Sequence, residues 1–180
     1  MLLTTTVTEL GQEPVTVDEV KVSARIDNDI TELDGHIATL IKSARLVAEH
    51  ECERLFLPCT MRLGYDDWPT DIWPLQLVTE LVKVETLDLA TGWAEMPDWT
   101  LERDANGTTR IVYGGGALPP LLKVPGVRVR VTVNVGCPEN VRAYIIAMVC
   151  HQLTSAATSG KPSNPPAYLS GLLDRERRWL

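Results

Sequence analysis

The spacing of apolar residues changes along the chain, and each change marks a boundary between elements. Thr16 followed by Glu19 is a capping-box pattern, and Val17, Val20 and Ala24 then recur at helical spacing. A short first helix ending near Arg25 follows from this. Asp29 with Glu32 repeats the start signal, and Ile30, Leu33, Ile37, Leu40, Ile41, Ala44, Ala48, Cys52 and Leu55 trace one apolar stripe with a 3.6-residue period. These positions predict a long helix over residues 30–55, ended by Pro58. From Cys59 onward the period shortens. Strand-like runs occupy residues 61–65, 78–89, 99–103 and 108–113, the last two separated by Asn106-Gly107, a pair suited to a tight hairpin. The clearest strand is 127–135, where five valines alternate with Arg128, Arg130, Thr132 and Asn134, so one face should be buried and the other polar. Pro138 and Glu139 then open a third helix whose Val141, Tyr144, Ile145, Met148 and Val149 form a wide apolar face, to about residue 153.

Residues 155–167 are rich in Ser, Thr, Gly, Asn and Pro and hold no large apolar side chain, the composition of a mobile linker. Fully extended, such a segment spans about 40 Å. Beyond it, residues 168–180 read as an amphipathic helix. Tyr168, Leu169, Leu172, Leu173 and Leu180 fall largely on one face, Arg175, Arg177 and Arg178 on the other, and Trp179 is a candidate aromatic anchor. A helix this short is not stable unaided, so it must dock, either on its own domain or on a neighbouring subunit or partner. The expected fold is α+β. Helix 30–55 packs on helix 139–153, with short N-terminal and C-terminal helices and a central antiparallel β region. Residues 1–154 form a single domain, 155–167 a linker and 168–180 a docking helix.

Composition narrows the function classes. A chain of 180 residues suits one domain, and 44% hydrophobic with 23% charged residues is an ordinary globular balance. No apolar run approaches the length of a membrane span, and the first ten residues carry no basic leader, so synthesis in the cytoplasm and no membrane partner are expected. The four cysteines form no C-x-x-C pair and are expected as reduced thiols. A formal net charge of −7 disfavours a dedicated nucleic-acid binder, so any DNA contact should be passive.

No constellation of catalytic residues emerges. Gly114-Gly115-Gly116 lacks a following G-K-[ST] and reads as an inter-strand loop; there is no G-x-S-x-G elbow. His50, Cys52 and Cys59 fit no metal-ligand spacing, and Cys52 belongs to the helical stripe. No catalytic residue, cofactor or metal is therefore expected. Trp68, Trp73 and Trp93 fall in proline- or glycine-punctuated connections, where they pack locally or anchor a partner. Arg128 and Arg130 project from the polar side of the valine strand, more in the manner of a solvated or inter-subunit face than of a phosphate site.

The order of these features resembles the head-tail connector (adaptor) family of tailed bacteriophages, in the branch with a β insertion in a helical core. The resemblance rests on the Pro14-Val15-Thr16 start of the first helix with Glu19 and Lys21, then Arg25-Ile26-Asp27 leading to a helix containing Leu40-Ile41 and Ala44-Arg45. Next come Trp73-Pro74-Leu75 before a strand ending in Leu87-Asp88-Leu89-Ala90-Thr91-Gly92, the valine strand closing with Gly136, and a leucine- and arginine-rich end. The Ser/Thr-rich stretch 154–159 departs from the pattern. The resemblance implies a non-enzymatic virion protein at the head-tail interface, made in the host cytoplasm. It would bind the portal as a ring of about twelve subunits, extend the DNA channel and dock the stopper or tail. It also implies that Tyr168, Leu169, Leu172, Leu173, Arg175, Arg177, Arg178 and Trp179 fasten the subunit to the portal. The alternatives are another virion ring component, such as a stopper or tail terminator, and a small enzyme of unknown chemistry.

Overall fold

The computed structural model describes residues 1–69, 77–89, 91–103, 109–159 and 164–177. The fold is α+β, and its residues gather into two compact units. A β unit takes residues 1–11 and 58–136, and a helical unit takes 12–57 and 137–180.

In the helical unit, α1 (Val17–Ala24) begins on the capping box read from the sequence. The Thr16 hydroxyl accepts from the Glu19 amide while the Glu19 carboxylate accepts from the Thr16 amide. The Glu19 carboxyl is held below its ordinary value of 4.5, first by that Thr16 amide and also by Arg142. A depressed carboxyl contributes stability above its unfolded pKa and loses it as pH falls through the lower folded value, so this helix start weakens in acid. Thr16→Ala should cost about 1 kcal/mol in urea unfolding at neutral pH; an unchanged midpoint would show that the cap is idle.

Helix α2 (Asp34–Cys52) is shorter than the predicted 30–55. Tight turns precede it, with Ile30 N–H donating to Asp27 O and Asp34 N–H to Thr31 O. The Asp29 amide donates to the Asp27 side chain, so the acidic residues read as a helix start build the loop instead. Ile30 and Leu33, in phase with the stripe, lie outside the helix and are exposed. Lys21, only 1% exposed, ties this loop down: its ammonium pairs with Asp34 at 2.5 Å and donates to Asn28 O. At the other end Glu53 turns left-handed at φ 53°, and Leu55 falls beyond the helix.

Helix α3 (Glu139–Ser159) outruns the expected end at residue 153 and takes in the first residues of the stretch read as linker. Within it the Thr154 hydroxyl donates to Cys150 O. Ile37, Ile41, Ala44 and Ala48 of α2 pack with Val141, Tyr144, Ile145 and Val149 of α3 in one core, as the two broad apolar faces predict. A short α4 (Ala167–Gly171) follows, continued by turns to residue 177, where one helix over 168–180 was expected; residues 178–180 lie outside the described ones.

The β unit holds a five-stranded antiparallel sheet in the order β1-β2-β7-β3-β4 and a separate hairpin, β5-β6. Its strands are β1 (Leu2–Leu10), β2 (Cys59–Tyr65), β3 (Leu77–Asp88), β4 (Gly92–Met96), β5 (Trp99–Arg103), β6 (Thr109–Tyr113) and β7 (Val129–Gly136). The valine strand β7 is central: Val129, Val131, Val133 and Val135 are buried, and both neighbours pair along its length. The hairpin is formed as expected, Trp99 opposite Tyr113, though its Asn106-Gly107 turn lies outside the described residues. Strand β1 had no counterpart in the sequence reading, and Trp93, read as part of a connection, sits in β4.

Candidate functional site

The C-terminal segment carries the candidate contact residues, and the helical unit gives it a seat. Leu169 and Leu173 are 1% and 0% exposed and belong to the α2/α3 core; Leu172 packs against them half-buried. Asn140 of α3 donates to Leu172 O at 3.0 Å, and Arg54 pairs with Glu176 at 3.1 Å. Arg177 bridges to Glu51 at 2.6 Å and to Asp174 at 2.8 Å. The segment is thus anchored within its own unit by apolar and ionic contacts together. Tyr168, 69% exposed, and Arg175 face solvent. Arg178 and Trp179 lie outside the described residues.

Two polar devices frame this unit. Arg45, 5% exposed, forks onto both carboxylate oxygens of Glu13 and reaches Glu49 one helical turn on. Glu49 also accepts the Phe56 and Leu57 amides, closing the chain after α2. Sequence reading had Arg45 only as part of a family pattern; a long-range ion pair leaves no periodic signal. Near it a hollow of about 230 Å³ opens between the start of α1 and α2, lined by Val15, Ile41, Gln12, Glu13 and Thr16 among others. Glu13 is committed to Arg45 and Thr16 to its cap, so little remains there to orient a substrate.

In the β unit Trp68, Trp93 and Trp99, with Arg128 and Arg130, make contacts within the chain. Arg130 stacks on Trp93 with its guanidinium carbon 3.6 Å from the ring centroid. Burial lowers the Arg130 pKa, and the nearby Arg62 lowers it further while Glu85 opposes. Arg128 donates to Leu122 O and holds the loop before β7. Trp68 stacks on Trp99 at 5.4 Å, Trp99 leans on Tyr113 at 5.1 Å, and the Trp68 indole donates to Pro119 O. Trp73 lies outside the described residues.

Among the described residues no group of three His, Cys, Asp or Glu is placed to hold a metal. Burial pushes the Cys52 and Cys150 thiols up and the Cys137 thiol to about 12. Such thiols stay protonated at neutral pH and are poor nucleophiles. Among the described residues no helix is long and apolar enough to cross a membrane.

No family model matches the chain, and no curated protein is detectably similar in sequence. Solved structures do share its fold. A chain from the neck of an empty gene transfer agent particle, computed with C6 symmetry, is 16% identical, with a TM-score of 0.63 over 99% of this chain and 98% of that one. A chain from the virion of a native gene transfer agent particle is 16% identical, with a TM-score of 0.64 over 99% and 98%. A third, from the neck of a native particle computed with C12 symmetry, is 17% identical, with a TM-score of 0.59 over 97% of each chain. At these identities the likeness is one of fold.

Proposed function

We propose that this protein is a structural subunit of a phage-like virion neck, acting as a head-tail adaptor. It binds the portal as a ring, with twelve copies as the favoured number, extends the DNA channel and offers the docking surface for stopper or tail. The observation that carries this reading is the near end-to-end fold likeness to neck chains solved with cyclic symmetry, both units included. It is joined by the sequence-level order of elements. Among the described residues a helical core of α1–α4 stands beside the β unit, the mixed composition expected of an adaptor in this reading.

Electrostatics fit a conduit. A subunit of net charge −7 repeated around an axis gives a strongly negative assembly, and such charge on the lumen would keep DNA from adhering to the wall. In this reading Tyr168 and Arg175, exposed in the C-terminal segment, contact the portal, and the sequence pattern adds Arg178 and Trp179 to that contact. Leu169, Leu172, Leu173 and Arg177 hold the segment's root on the subunit's own core. Full-length protein should co-sediment with isolated portal rings at physiological salt. Protein that stays in the supernatant at all concentrations would contradict the adaptor role.

A further inference from the structure

The five-stranded sheet has two free edges, β1 and β4, with no strand paired to the outer side of either among the described residues. Strand β1 is the unusual one. Eight of its nine residues are exposed, so both its faces meet solvent and its hydrogen bonds to β2 are its main attachment. Leu3, Val7 and Leu10 are 40%, 38% and 68% exposed. A long uncharged edge is a template for pairing, which proteins blunt with lysine, proline or a covering element. LLTTTVTEL contains neither lysine nor proline and has one charge, Glu9. Register shifts at Leu2/Thr4 and Val7/Glu9 leave a regular run, Thr4 opposite Gly64 through Val7 opposite Met61, as its flat section.

A closed ring needs two different, complementary patches on every subunit, because each contact is head-to-tail. The two ends of this sheet meet that need. The regular section of β1 is four residues long and β4 is five, so one can lie along the other with matched length. Any strand edge complements another through its backbone groups, without a special side-chain code.

We infer that β1 is an inter-subunit strand, whose outer edge pairs with the outer edge of β4 in a second copy of this chain so that sheets join around the ring. This inference rests on the ring reading above. Pairing over Thr4–Val7 and Gly92–Met96 satisfies the outward backbone groups of those sections.

The test is hydrogen-deuterium exchange on the full chain, free and after assembly with and without portal rings, with oligomeric state followed by light scattering. Assembly should slow exchange in the β1 and β4 peptides by roughly tenfold or more. The variant Thr5→Lys/Val7→Lys, at exposed positions, should keep the free protein's circular dichroism and raise the concentration needed for assembly by about tenfold or more. Rings whose β1 and β4 exchange is unchanged would overturn the inference and leave the neck reading standing. Protection of β1 by portal alone, without contact between copies, would overturn it in favour of a different occupant. Absence of rings under every condition would overturn both.

Discussion

A chain ended after Pro166 should lose the fold of its helical unit. Truncation removes Leu169 and Leu173, both fully buried in the α2/α3 core, and the half-buried Leu172. Deleting one buried leucine side chain costs about 2 to 5 kcal/mol, so losing these together approaches the 5 to 15 kcal/mol that holds a typical domain. The cut also strands Arg54, Glu51 and Asn140, which lose Glu176, Arg177 and the Leu172 carbonyl. Circular dichroism at 222 nm should report helix loss at 25 °C, and the point variant Leu173→Ala should show a reduced thermal midpoint in a chain that still folds. A truncated protein with full helicity and an unchanged midpoint would mean that these leucines are not part of the core.

Glu49→Ala should cost about 3 to 5 kcal/mol, a large effect for one polar residue. Its carboxylate, 13% exposed, takes a hydrogen bond from Arg45 at 2.7 Å and two more from the Phe56 and Leu57 amides at 2.7 and 3.1 Å. Removing it leaves a nearly buried guanidinium with Glu13 as its remaining partner and orphans two amides beside the buried Phe56. Glu49→Gln should cost less, since an amide oxygen still accepts from the backbone. Urea unfolding of both variants checks the ranking, and equal or negligible losses would show that the network does not hold the end of α2.

These residues also mark how far the sequence could be read. The capping box, the α2/α3 core and the valine strand were legible because each writes a local period into the chain: a three-residue offset, a 3.6-residue stripe, an alternation. The start of α2 was misplaced because Ile30 and Leu33 keep the phase of the stripe while short turns around Asp27 win locally. Strand β1 was invisible because it buries almost nothing, so its sequence shows no alternation. The C-terminal segment shows a deeper limit. Its leucines announce that an apolar face needs a cover, but the pattern is the same whether the cover is the chain's own core or a partner. The structure seats Leu169 and Leu173 in their own unit and leaves Tyr168 outward. Likewise the pairing of Arg130 with Trp93 and the Arg45 fork join residues far apart in sequence, which no periodicity records.

The most direct measurement of the central proposal is electron microscopy of the protein mixed with its cognate portal rings. The adaptor reading expects a second ring stacked coaxially on the portal, with cyclic symmetry and an open central channel. Portal rings that remain bare while the added protein stays folded and dispersed would contradict it.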